Sequence, residues 1–291
     1  MLLEHSPKSI KYFGDDMKDA RFLRFLSDIT NINFKFVSTL NSSNFSGGTM
    51  KNGTAYIVFP LDVPSLSEAR SYVKKLDGSV GMFKVGLELF IKEGPAVIQM
   101  IRETSHAGIF LDLKLHDISE TVGRAMEQVA LMGVDLVTVH CASTRKMLER
   151  AVAGSRGKTG VLGVTLLTDN DSKAVESAGY EQQYVEDLNR LVLKRAGMAH
   201  GAGCRGVVCS GHEVAAVKAL LGKDFLAVTP GIRPGWSLLD NDDQARVTTP
   251  AKAVLAGADL IVVGRPIRTA ADPREAALCI GAEIDEALGQ S

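Results

Sequence analysis

"FLDLKLHDISET", Phe110–Thr121, begins like a buried strand yet carries Asp112, Lys114, His116 and Asp117 within six positions. Side chains alternate along a strand, so Asp112 and Lys114 share one face while Leu111, Leu113 and Leu115 take the other. The leucines fit a layer beneath a ring of helices. The charged pair then points to the opposite side, its members about 6–7 Å apart along the strand. A buried ion pair is weak grounds for stability, because desolvation offsets most of the attraction. An acid and a base on the inner face of a strand therefore read as functional. Asp117 has the wrong parity to join them if the strand continued, so it turns away or serves another site.

Strands of similar type recur along the chain. From residue 55 onward, short β-branched runs alternate with stretches of helical period. The runs are "AYIVFPLDV", "VGMFKVGL", "GIFLDLKLHD", "VDLVTVHCA", "GVLGVTLLT", "CRGVVCSG", "FLAVTPGI" and "DLIVVGRPI". Helix candidates between them include "SLSEARSYVKKL", "ETVGRAMEQVALMG" and "PAKAVLAGA". Eight strand–helix units in about 240 residues match a closed parallel (β/α)8 barrel, the TIM barrel of the α/β class. An open doubly wound sheet is the alternative. It usually has fewer strands and often a GxGxxG turn after an early strand, which is absent here. Pro60 sits in the first run, where it cannot donate to a ladder, and marks a bulge or the strand's end just before Asp62.

Residues 1–53 differ from this pattern. They contain a short amphipathic helix candidate (Met17, Phe22, Phe25, Leu26, Ile29) and then the polar run "STLNSSNFSGGTMKNGT". Such a run buries too little surface to offset its ordering entropy. It reads either as a linker to a small N-terminal element or as upstream sequence, with translation beginning at Met50 and Gly47–Gly48 a ribosome-binding site read as protein. The division expected is an N-terminal extension over 1–53 and one catalytic barrel over 54–291.

Bulk composition narrows the functional classes. The 291 residues are 45% hydrophobic with a formal net charge of −1, so no general attraction to nucleic acid or anionic membrane is expected. Any anion must be gripped locally. The four cysteines (Cys141, Cys204, Cys209, Cys279) form no CxxC pair and read as reduced thiols of a cytoplasmic protein. No apolar run approaches the roughly 20 residues of a membrane span, and no secretory signal pattern opens the chain.

Chemistry in such barrels collects at the C-terminal ends of the strands. Those ends carry Asp62, Lys84, Asp112 with Lys114, His140, Thr168, Arg233 and Arg265, none of which stability alone would require. "VTPGIRPG" and "VVGRPI", ending runs seven and eight, read as an anion site: glycine lets backbone N–H groups approach, and arginine supplies forked donors. "WSLLDNDDQARV" between them, with Gln244 near its end, could close over a ligand. His116 fits a structural or loop role, and His140 either a core position or a substrate contact. Neither has HxxxH or HExxH spacing, so no zinc motif is present.

Together these residues resemble the bacterial orotidine 5'-phosphate decarboxylase family, from about Ile57 to Ile267. Asp-x-Lys-x-x-Asp alone would occur by chance in about 5% of chains this long. Here it follows "FKVGLELF" and precedes "VTLLTD", "VTPGIRPG", "DQARVTTP" and "VVGRPI" in the family's order. The resemblance implies a charged network of Lys84, Asp112, Lys114 and Asp117, with Lys114 as proton donor to C6 of the pyrimidine. It implies that Asp117, Ile118 and Thr121 come from the other subunit of a homodimer. Asp62 and Lys84 would hold the ribose, Thr168 would face the pyrimidine, and Arg233, Gln244, Gly264 and Arg265 would hold the phosphate. Leu113, Leu115, His116, Ser119 and Glu120 complete the motif segment as substrate-binding candidates. The implied reaction needs neither cofactor nor metal, and the implied partner is a small nucleotide, orotidine 5'-phosphate. The rival is a Mg²⁺-dependent sugar-phosphate decarboxylase of the keto-gulonate-phosphate type, which shares Asp-x-Lys-x-x-Asp but lacks the "PGIR…DQ" loop. A non-catalytic nucleotide-binding barrel would keep the arginines but lose one of the four charged residues; all four are present.

Overall fold

The structure is a computed structural model that describes residues 52–237 and 248–289. The N-terminal helix candidate, the Met50 start and Gln244 lie outside the described residues.

Eight strands form the expected barrel: β1 Ile57–Pro60, β2 Met82–Val85, β3 Gly108–Leu115, β4 Leu136–His140, β5 Gly160–Val164, β6 Gly206–Val208, β7 Leu226–Thr229 and β8 Leu260–Val262. Each pairs in parallel with the next, and β1 pairs with β8 to close the cylinder. Pro60 is the last residue of β1, so its missing N–H interrupts nothing, and Leu61 N–H resumes the ladder on the Lys84 carbonyl at 2.8 Å. An open sheet is thereby excluded.

Strand parity divides the core in two. Even-numbered Val58, Met82, Phe110, Leu136, Leu162, Leu226 and Leu260 fill the barrel's interior. Odd-numbered neighbours such as Phe59, Phe83, Leu111, Val137 and Val161 join the larger layer between strands and helices. The same alternation that buries Phe110 and Leu136 directs Asp112 and Thr138, two residues on, toward the interior above them.

The expected helices form with local capping. Helix α1, Leu66–Leu76, starts at Ser65, whose hydroxyl accepts Glu68 N–H at 3.3 Å. Helices α2 (Leu87–Glu93) and α3 (Ala96–Thr104) follow β2, and α4 (Ser119–Met132) follows β3 and ends at left-handed Gly133. After β4 comes α5, Arg145–Ser155; after β5 come α6 (Ser172–Ser177), α7 (Gln182–Glu186) and α8 (Leu188–Gly201). Helix α9 (Val214–Leu221) lies between β6 and β7, and α10 (Pro250–Leu255) opens on the Thr249 cap with Pro250 in its first turn. Short α11 (Arg265–Arg268) and α12 (Pro273–Gly289) complete the ring. Among the described residues no helix is long and apolar enough to cross a membrane. Cys141, Cys204 and Cys209 are buried and Cys279 is exposed, all four outside any disulfide; burial pushes Cys141 and Cys204 up to about 12.

Candidate active site

A cavity of about 380 Å³ opens among the C-terminal strand ends. Asp62, Lys84, Asp112, Lys114, Thr168, Arg233, Gly264 and Arg265 all line it, as their strand-end positions anticipate. Phe110, Val164, Val208 and Val262 contribute apolar surface to its lining. The site is thus a polar mouth continuous with the interior of the barrel.

Four charges form a chain along one wall. Lys84 Nζ lies 3.3 Å from Asp62 Oδ1 and 3.5 Å from Asp112 Oδ2, and Lys114 Nζ donates to Asp112 Oδ2 at 2.9 Å. Only 12% of the Asp112 side chain is exposed, against 32% for Lys114. Burial pushes the Asp112 carboxyl up, but the Lys84 and Lys114 ammonium groups and the Lys114 and Thr138 hydrogen bonds outweigh it and hold the group below the usual carboxylate range. Asp112 therefore remains an anion between two cations.

Parity predicts this pairing, yet the backbone achieves it differently. Leu111 sits opposite Val137 and Leu115 opposite Val139, so β3 takes four steps while β4 takes two. Lys114 lies at the irregularity with φ +49°, a left-handed conformation that non-glycine residues seldom adopt. At this irregularity the two side chains are in direct contact. The strand ends at Leu115, so extended-strand parity does not apply to Asp117, and its separation from the pair follows from the strand's termination. Leu113 and Leu115 pack partly buried against the outer core layer, the face assigned to them, and neither lines the cavity.

The segment beyond β3 stays outside the cavity of this chain. His116, Asp117, Ile118 and Glu120 are exposed, Ile118 to 71%, and none of them nor Ser119 or Thr121 lines it. His116 stacks obliquely on His140 at 5.5 Å between ring centroids. His140 is half-buried with no hydrogen-bond partner for its buried Nδ1. Burial, then the neighbouring His116, Arg195 and Lys114, lower its pKa, so it stays neutral further into acid.

The part of the mouth beyond β7 and β8 is cationic. Arg233 is buried, its N–H donating to the Thr248 carbonyl at 2.9 Å, beside Gly231 at φ +77°. Gly264 precedes Arg265, and a Cβ there would lie 2.9 Å from Pro60 Cγ. Glycine at 264 thus lets the ends of β1 and β8 close up beside the arginine. Two further residues escaped the sequence reading: Thr138, which bonds both members of the Asp112–Lys114 pair, and Arg268, which lines the cavity and donates to the Asp62 carbonyl at 2.7 Å. Parity in "VTVH" marks Thr138 as inward-facing; Arg268 lies one turn beyond Arg265, just past the anion motif, and carries no comparable signal. Among the described residues no group of three or more His, Cys, Asp or Glu is placed to hold a metal ion.

Residues 55–280 match the sequence model of the Orotidine 5'-phosphate decarboxylase / HUMPS family. The chain belongs to that family. An orotidine 5'-phosphate decarboxylase of Desulfosudis oleivorans is 53% identical over 234 residues, covering 80% of this chain and 94% of the relative. One from Anaeromyxobacter sp. strain K is 46% identical, covering 77% and 96%. The crystal structure of orotidine 5'-phosphate decarboxylase from Lactobacillus acidophilus superposes with a TM-score of 0.68 at 33% identity, covering 79% of this chain and 98% of that one. For a decarboxylase of this family, the acid–base chain and the arginine wall are the parts of the cavity to be explained.

Proposed function

We propose that this chain binds orotidine 5'-phosphate with its phosphate toward Arg233 and Arg265 and its C6 carboxylate toward Asp112 and Lys114. The protein converts orotidine 5'-phosphate to UMP, the activity named for its relatives. One observation carries the residue assignment: the Lys114 ammonium, braced 2.9 Å from Asp112, faces the same cavity as the two arginines. The bond from C6 to the carboxylate breaks, CO2 leaves and the electron pair stays on C6. Lys114 Nζ stabilises that charge, gives its proton to C6 and is recharged from solvent. No carbonyl of the ring is placed to accept the pair as in a β-keto acid, so a positioned cation is the chemistry required.

Asp112 would repel the departing carboxylate. At ~4 Å and an effective dielectric near 20 this supplies at most about 4 kcal/mol, roughly three decades of rate. A very slow uncatalysed reaction demands more, so phosphate binding far from C6 must help to organise the site. Asp62 and Lys84 are suited to the ribose hydroxyls, and Thr168 to the pyrimidine. Loss of orotidylate absorbance on mixing with purified protein tests the activity. Turnover should persist in excess EDTA; a complete loss there would favour the Mg²⁺-dependent sugar-phosphate reading instead.

Asp117 and Ile118, exposed beyond β3 and outside this chain's cavity, support a homodimer in which each cavity is completed by its partner's Asp117, Ile118 and Thr121. Inactive Lys114→Ala and Asp117→Ala proteins, mixed so that subunits exchange, test this. In a hybrid one site collects both lesions and the other neither. Random reassortment gives about half hybrids, so roughly a quarter of wild-type activity should return. Verified exchange that restores nothing would place Asp117 in its own chain's chemistry.

A further inference from the structure

We infer that Thr138 is a positioning residue, its hydroxyl fixing the Lys114 backbone and the Asp112 carboxylate together. Thr138 stands on β4 between Val137 and Val139, the two residues paired across the four-step excursion of β3. A bulge of this kind removes a backbone N–H from the regular ladder. The Lys114 N–H donates at 2.8 Å to Thr138 Oγ1 instead. The same oxygen donates its proton to Asp112 Oδ1 at 2.8 Å. Donor and acceptor roles are thereby fixed: the lone pair serves Lys114 and the proton serves Asp112.

The consequence follows from the second carboxylate oxygen. Asp112 Oδ2 faces both ammonium groups, Lys114 at 2.9 Å and Lys84 at 3.5 Å, while Oδ1 takes the Thr138 hydroxyl. One side chain therefore sets the orientation of the carboxylate and the left-handed turn from which the Lys114 side chain departs. Thr138 is fully buried and does not line the cavity, so it acts through the pair rather than on substrate. This role rests on the proposed chemistry of Asp112 and Lys114.

The test compares Thr138→Val, which keeps the branched shape and removes the hydroxyl, with Thr138→Ser, which restores it. Thr138→Val should lose roughly a hundredfold in kcat, the cost of about 1 Å of misplacement, while KM and UMP affinity stay within about threefold. Thr138→Ser should recover most of kcat. The acid limb of kcat/KM should move to higher pH in Thr138→Val, because a hydrogen bond that favours the Asp112 anion is gone. The charged and titratable groups around Asp112 remain in place: Asp62 beyond β1, Lys84 on β2, Lys114 on β3 and His140 at the end of β4. Wild-type kcat with an unmoved acid limb in Thr138→Val would overturn the inference, as would equal damage in Val and Ser. Hydrogen exchange at the Lys114 amide separates this from the functional reading. Protection should fall in Val and persist in Ser; unchanged protection in Val overturns the grip on the turn. A fully active Lys114→Ala would instead overturn the proposed chemistry, leaving the amide result to decide the role of Thr138 in the turn.

Discussion

At the N-terminal end of the barrel, Lys218 of α9 directs its three ammonium protons to the Lys223 carbonyl at 2.9 Å, the Phe225 carbonyl at 2.8 Å and Asp259 Oδ2 at 2.6 Å. Asp259 Oδ2 also accepts the Ala227 N–H at 2.7 Å, which ties the entries of β7 and β8 together. At the C-terminal end, Lys114 makes one bond of this kind, to Asp112, and Lys84 sits more than 3 Å from each of its two carboxylates. The first lysine has no proton left to give. The second keeps donors directed to a cavity. Both ends bury a lysine–aspartate pair, and saturation is what separates a fastener from a reagent.

The sharpest way to break that contrast is to remove each lysine. Lys114→Ala should lower kcat by about 10³-fold or more, at or above the cost of one electrostatic donor to a developing charge. Its UMP affinity should stay close to wild type, because the phosphate and ribose contacts lie elsewhere, and its melting temperature should fall less than in Lys218→Ala, because Asp112 keeps Lys84 and the Thr138 hydroxyl. A variant that keeps more than about a tenth of wild-type kcat, less than 1.4 kcal/mol of barrier, would remove Lys114 from the chemistry.

Lys218→Ala should do the opposite. It leaves Asp259 partly buried without its cation and the Lys223 and Phe225 carbonyls without their donor. Breaking such a pair from one side costs about 3 kcal/mol, roughly 6–12 °C in melting temperature for a domain of this size. Per folded molecule, kcat should be unchanged. If kcat fell as far as in Lys114→Ala while the fold survived, the two ends would not divide the work as proposed.

The two ends were also unequally legible. Strand-end polarity points Asp62, Lys84, Thr168, Arg233 and Arg265 to the mouth of one cavity, and parity adds Asp112 with Lys114, because a barrel sends every second residue of a strand inward and gathers its polar groups at the C-terminal ends. The fastener was invisible: Lys218 and Asp259 are 41 residues apart, and each alone reads as an ordinary surface charge. Thr138 carried the parity signal, but its importance depends on the β3 irregularity, which no periodicity announces because it depends on how β3 registers against β4. Parity sets Asp117 apart from Lys114 only on a strand that continues past Leu115. The separation stands, but its cause is the end of the strand at Leu115. Local pattern thus carries which face a residue occupies, while side-chain bonds across distant segments appear only in the folded chain.

The smallest expected effect concerns where the N-terminal end of the barrel begins. The family match starts at residue 55, and no residue of either lysine cluster precedes Asp62. A short 3-10 turn, Gly53–Tyr56, lies against α12: Gly53 N–H donates to Asp285 Oδ1 at 2.7 Å. A Cβ at Gly53 would overlap the Gly281 carbonyl, and one at Gly281 would lie 2.7 Å from Thr54 Cγ2, so glycine on both sides lets the two backbones touch. Removing residues 1–49 keeps that contact, and orotidylate turnover and melting temperature should both match the full chain. Removing residues 1–56 takes the contact away and should lower the melting temperature while leaving the charged wall of the cavity intact. Both truncations, measured by thermal melt and orotidylate turnover beside the full chain, locate the boundary. A large loss already at residue 49 would show that the preceding segment supports the barrel and that the catalytic unit begins earlier than proposed.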